Sequence, residues 1–299
     1  MNQRIYLPFA DSRWRMKMSL KPLKLKDWIE IDERFTAYLA RKQELLEHHY
    51  REVFASLPGS ERSQKEVLNL LLDYLPKHFP SHYQRQGDRI ESLLAQQSWN
   101  VADFETNPLD LAGRLVQEDL CLMQPSPDGY ILVAASVCFP FHWRLQDKLG
   151  QPLARIHQPV PEYAQKLEEP VNNFFMRLKT DSPGYRLNWG IVDTPDLSLT
   201  RPRNPRRSDA PFTVDRLGEK LWLRVERQTV RRLETSNCVL FTIRTYIYPL
   251  SILESYPAIA QNLSAAIQQM PLAMQRYKDI LPVREVLLDY LGKIYRFVP

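Results

Sequence analysis

An α+β architecture, with helices on either side of a central antiparallel sheet, is predicted from three observations. The N-terminal third carries helical periodicity, the middle third carries extended runs, and the residues after Pro249 return to helical spacing. Elements grouped this way along a chain give a sheet and helices that segregate rather than alternate.

The first segment runs from Met16 to about Gln97. From Trp28 to Phe54, Ile31, Phe35, Tyr38, Leu39, Leu45 and Val53 recur among charges at the spacing of one amphipathic helix. Pro58 and Gly59 stop it. Ser63 is the expected cap of a second helix, whose face is Val67, Leu70, Leu71 and Leu75, and Pro76 and Pro80 are expected to end it. Composition shifts near Val101, and Tyr130–Phe139, apolar and rich in β-branching after an Asp-Gly turn, reads as a strand buried on both faces. Leu187–Val192 is a shorter strand. Leu221–Leu233 and Cys238–Leu250, separated by the four polar residues Glu234 to Asn237, form an antiparallel hairpin. Two helices follow, one with Ile259, Leu263, Ala266 and Ile267 on its apolar face and the other with Val286, Leu287, Tyr290 and Leu291. The divisions are a helical region 1–100, a core 101–252 and C-terminal helices 253–299, integrated as one domain.

Composition narrows the functional classes. No apolar run approaches the roughly 18 residues a membrane helix needs, and the first ten residues have no signal-peptide layout, so a cytoplasmic location is expected. The three cysteines, Cys121, Cys138 and Cys238, stand far apart and read as small core residues, with no zinc spacing. With only 9 glycines and no Gly-rich phosphate loop, a nucleotide-binding unit is not expected, so any reducing cofactor resides on another protein. The net charge of +5 draws on Arg201, Arg203, Arg206 and Arg207, either a solvated loop or a docking patch for an acidic partner; no nucleic-acid module accompanies it.

The hairpin is the most informative place to look for chemistry. Alternation puts Trp222, Arg224, Glu226 and Gln228 on one face of its first strand, with Leu221, Leu223, Val225 and Arg227 on the other. The second strand offers Leu240, Thr242, Arg244 and Tyr246 on one face. If the polar rows coincide, the surface is either water-facing or a ligand floor. As a floor, Arg224 and Arg244 can fork onto carboxylates such as porphyrin propionates, and Glu226 can pair with a cationic substrate. His157, in Ile156-His157-Gln158-Pro159-Val160-Pro161, is the leading histidine: the prolines hold the backbone extended, and a fixed imidazole suits an axial metal ligand. His48, His49, His78 and His82 are expected to face solvent, and His142 follows an aromatic run.

Several stretches resemble, in fixed order, the signatures of one family. They are Gln117–Met123, Val137-Cys138-Phe139-Pro140, Trp143 with Lys148 and Gly150, Ile156-His157 with Pro159-Val160-Pro161, and Asn188-Trp189. Leu223–Thr229, Arg232-Leu233 and Phe241–Tyr246 continue the series, and Leu20–Asp32 extends it towards the N-terminus. The family is typified by the α subunit of haem-dependent oxidative N-demethylase. The resemblance implies a PAS-like antiparallel sheet, haem b ligated by histidine, and oxygen-dependent demethylation of a small secondary amine with release of formaldehyde. It further implies electrons from an external flavin and iron–sulfur reductase. Carried onto this chain, it makes His157 the axial ligand, Glu226 and Arg224 the catalytic side, and Arg244, Arg227 and Tyr246 the cofactor side. Phe141 and His142 depart from the small residue the family carries after Cys-Phe-Pro, and His142 is a candidate second ligand. The competing class is a PAS-like haem or small-ligand sensor without catalysis.

Overall fold

The computed structural model describes residues 4–127, 129–200 and 212–296, so the arginine cluster at 201–207 lies outside the described residues. A seven-stranded, wholly antiparallel sheet runs in the order β1 (Lys21–Pro22), β8 (Gly184–Val192), β9 (Trp222–Arg232), β10 (Val239–Pro249), β6 (Asp119–Ser126), β7 (Gly129–Ser136), β2 (Phe54–Ser56). Helices flank it, as expected.

Helices α1 (Phe35–His48), α2 (Tyr50–Val53), α3 (Glu61–His78) and α4 (Pro108–Leu115) precede β6, with α1, α3 and α4 contributing most of the apolar packing there. Their buried residues, with Leu120, Leu122 and Leu240 of the sheet, build one core on one sheet face. Further along that face, Leu223, Val225 and Tyr246 pack on the C-terminal helices α9 (Pro257–Gln269), α10 (Leu272–Tyr277) and α11 (Arg284–Arg296). The opposite face buries Cys121, Met123, Val230 and Val239 under the segment holding α5 (Leu153–Ile156), α6 (Tyr163–Lys166) and α7 (Glu168–Arg177). The short α8 (Leu217–Lys220) leads into β9. All three cysteines are free and buried.

Several boundaries differ from the periodicity reading. Helix α1 begins at Phe35 and not at Trp28, because Trp28, Glu30 and Asp32 spend their polar groups on the sheet. The chain leaves helical geometry at His49 and again at Phe54, which pairs with Ser136 as the edge strand β2. Ser60, not Ser63, is the N-cap of α3; Ser63 sits in the first turn and donates its hydroxyl to the Ser60 carbonyl at 2.8 Å. Pro76 lies inside the last turn and α3 continues to His78. The segment expected to be helical up to Gln97 instead closes a second, three-stranded sheet, β3 (Tyr83–Gln86), β4 (Arg89–Ser92) and β5 (Gln97–Asn100). Strand β7 stops at Ser136 because the amides of Cys138 and Phe139 turn to the Asp119 carboxylate, both at 2.9 Å. His48, His49 and His78 are exposed, whereas His82 is buried edge-on against Phe35 and Phe79, where burial lowers its pKa.

Glu118 is wholly buried; one oxygen accepts the Glu30 amide at 3.1 Å and the other has no partner. Burial raises its pKa, opposed by Arg244 and Arg227. The native state therefore keeps this proton where the unfolded chain has lost it. Stability from Glu118 is complete below about pH 4.5, the ordinary value, and is lost as pH rises through the raised native value. Glu118→Gln should be more favourable relative to wild type at about pH 8 than at about pH 4 in denaturant titrations; a difference independent of pH would contradict this.

Candidate functional site

Residues directly opposite one another in an antiparallel ladder share a face. The hairpin register pairs Glu226 with Thr245, Arg224 with Ile247 and Arg227 with Arg244. The polar rows of the two strands therefore do not coincide. Arg224, Glu226 and Gln228 project to the face covered by α5–α7, while Arg227, Arg244 and Tyr246 project to the opposite face. An offset of one residue in the hairpin register inverts the side, and four turn residues do not disclose it.

On the far face the second set is committed to protein partners. Arg244 donates to Asp32 Oδ2 at 2.7 Å and to the Thr245 carbonyl at 2.9 Å, its guanidinium lying between the Tyr38 and Tyr246 rings at 4.2 and 4.7 Å. Arg227 donates to the carbonyls of Trp28 and Asp27 and sits 3.4 Å from Glu30, whose carboxylate also accepts the hydroxyls of Tyr6 and Tyr246. This network fastens the N-terminal segment to the sheet. It lies on the sheet face opposite His157, so Arg227, Arg244 and Tyr246 do not join Arg224 and Glu226 in one row as expected.

On the near face, strand β8 extends the row. Its register sets Arg186 beside Gln228, Asn188 beside Glu226 and Gly190 beside Arg224. Glu226 is 5% exposed; Oε2 accepts Asn188 Nδ2 at 3.2 Å and Gln228 Nε2 at 3.0 Å, and Oε1 lies 3.6 Å from Arg224 Nε. Arg224 is fully buried and donates to the carbonyls of Leu197 at 2.7 Å and Phe139 at 2.6 Å, beneath the Phe141 ring at 4.9 Å. Gly190 permits this lid: a Cβ there would lie 2.5 Å from the Phe141 ring. Arg224 thus fixes the 139–141 and 197 segments over the sheet through its two Nη groups and orients Glu226 by charge, its Nε making no hydrogen bond.

His157 is half-buried over this face, at the C-terminal end of α5. The prolines do not hold it in an extended loop as expected. Its backbone closes a helical turn onto the Leu153 carbonyl at 3.0 Å, and its direction comes from Nδ1, 2.9 Å from the same carbonyl, and from the Tyr163 ring stacked 4.7 Å away at 10°. Burial lowers its pKa to about 4, with the positive charges of Arg186 and Lys148 acting in the same direction and the Leu153 carbonyl against them. The imidazole is therefore neutral at pH 7. A neutral ring that can accept only weakly at Nδ1 beside a carbonyl carries its proton there, which leaves the Nε2 lone pair for a ligand.

Two polar groups beside His157 have no protein partner. Tyr163 is buried, its hydroxyl is unpartnered, and burial together with the Glu168 charge raises its pKa to about 12, so it remains a donor. Arg186 has a buried Nε without an acceptor, and burial lowers its pKa although Glu226, Tyr277 and Tyr163 oppose that. Buried donors without acceptors in the protein are groups that a water or a ligand would satisfy. The donor set fits a haem: one neutral imidazole with an open Nε2 for the iron, and an arginine and a phenol for acidic substituents of the macrocycle. His142, by contrast, directs Nε2 toward Asp279 Oδ2, 3.7 Å away.

The sequence reading missed Arg186 and Tyr163. Starting β8 at Leu187 excluded Arg186, although extending the alternation of Asn188 back by two residues includes it. Nothing in the spacing of Tyr163 from His157 announces a stack. Among the described residues, no helix is long and apolar enough to cross a membrane, and no group of three or more His, Cys, Asp or Glu residues could hold a metal ion. Comparison with protein-family models matches residues 19–288 to the family described as haem-dependent oxidative N-demethylase, alpha subunit-like.

Proposed function

Because the chain belongs to the haem-dependent oxidative N-demethylase alpha-subunit-like family, we propose that it binds haem b through His157 Nε2 and removes a methyl group from a small secondary amine. In this reading, a PAS-like sheet supports the haem and electrons arrive from a partner subunit carrying flavin and an iron–sulfur centre. The observation that supports it is the anchored, neutral imidazole with two unpartnered donors beside it.

When bound, haem supplies oxygen activation. The chain supplies the remainder. His157, oriented by the Leu153 carbonyl and the Tyr163 ring, would hold the iron. Arg186 and the Tyr163 hydroxyl would hold acidic substituents of the macrocycle by hydrogen bonds. Glu226, held in orientation by Asn188, Gln228 and Arg224, accepts an N–H of the ammonium substrate and sets its methyl group towards the reacting centre. Phe141 keeps water from Arg224 and so maintains the charge balance around Glu226. In balance, a dimethylated amine, one dioxygen, two electrons and two protons give the monomethylated amine, formaldehyde and water.

A single turnover tests this. The haem-loaded protein, mixed with oxygen, dimethylamine and a chemical reductant that supplies two electrons per haem, should release close to one formaldehyde per haem. An oxygen complex that decays unchanged by amine, with no formaldehyde, would oppose demethylation and favour ligand sensing.

A further inference from the structure

Five arginines of the β9–β10 hairpin differ in one respect. Arg224, Arg227, Arg232 and Arg244 each donate to protein carbonyl or carboxylate oxygens. Arg231 donates to none among the described residues. Its guanidinium lies 4.8 Å from the centre of the Trp28 ring, and its Nε is buried without an acceptor. The indole Nε1–H of the wholly buried Trp28 is likewise without an acceptor. Arg231 alone of the five therefore has its hydrogen-bonding donors available to a bound oxygen or to water.

Arg231 lines a groove of about 580 Å³ between α3 and the hairpin tip. Arg62 and Lys65, exposed on α3, line the same groove and have no ion-pair partner among the described residues. Two of the four lining carboxylates are already engaged: Glu66 accepts the amides of Thr235 and Ser236 at 2.7 and 2.8 Å, and Asp73 pairs with Arg85 at 3.3 Å. Asp181 and Glu234 are exposed. Leu25, 41% exposed, and Leu70 supply apolar wall.

We propose that this groove, on the sheet face away from His157, binds a small organic oxyanion, with its carboxylate or phosphate head on Arg231. Arg62 and Lys65 close on the head from α3, and the organic body rests on Leu25 and Leu70. The forked donors of arginine provide the planar recognition that either anion accepts. The site is independent of haem.

Calorimetric titration of the full chain with inorganic phosphate and with malonate, against chloride at equal ionic strength, tests it. Saturable binding of at least one anion is expected, and Arg231→Gln should weaken it at least tenfold. Phosphate binding alone identifies a phosphorylated ligand, and malonate binding alone a carboxylic acid. If Arg231→Gln does not fold, the double variant Arg62→Gln, Lys65→Gln, both on an exposed helix surface, should weaken binding about tenfold. Heats equal to those of chloride, or affinities unchanged in whichever variant folds, would overturn the proposal and leave Arg231 to water.

Discussion

Lys42→Met is expected to destabilise the protein by about 3–5 kcal/mol, the range for removing one partner from a buried charged network. Lys42 is wholly buried on α1, and its ammonium donates to the carbonyls of Gly113 at 2.9 Å, Val116 at 3.0 Å and Glu118, with Asp119 3.8 Å away. These oxygens end α4 and begin β6, where helix C-terminal carbonyls have no intrahelical donors. Methionine fills the volume but leaves three acceptors without a donor and the Asp119 carboxylate without its nearest cation. Burial already raises the pKa of Asp119, with Lys42 the largest opposing influence, so the variant should also protonate Asp119 and loosen its grip on the Cys138 and Phe139 amides. Urea unfolding should show the shift in midpoint without a change in slope. A loss below about 1 kcal/mol would mean that the network relaxes or admits water.

How far the sequence disclosed this molecule depended on the distance over which each feature is decided. The hairpin was legible because alternation and a polar turn are local; the observed strands fall within one residue of the expected runs. Its faces were only half legible. Within β9, alternation separates Glu226 from Arg227 without ambiguity, but which row of β10 joins which depends on register, and the three-dimensional pairing sends Arg244 and Tyr246 to the other side. Trp28 carries an apolar signature that fits a helix, and tertiary contacts with Arg227 and Arg231 hold it in an irregular segment instead. The small sheet β3–β5 escaped notice because strands of four residues bearing mostly polar side chains lack a hydrophobic pattern. Lys42 announced itself faintly, as a lysine within the apolar stripe of Leu39, Leu45 and Leu46. His157 was reached through its resemblance to a family rather than through the prolines around it, and the contacts that orient it come from Leu153 and Tyr163.

His157→Ala carries the largest expected effect on function. One imidazole nitrogen is the proposed protein ligand to the iron, so its removal takes away the axial bond while Arg186 and Tyr163 remain as weak contacts to the periphery. Haem affinity should fall at least a hundredfold, about 3 kcal/mol or more, with the fold intact because the half-buried ring makes one hydrogen bond and one stack among the described residues. Added imidazole should restore the axial bond in the cavity left by the side chain. Titrating haem into the wild-type protein and into His157→Ala, and following the Soret band, tests this directly. A stoichiometric, sharp band in the wild type, absent from the variant and recovered with imidazole, is the predicted result. Identical spectra and affinities for the two proteins would contradict ligation by His157.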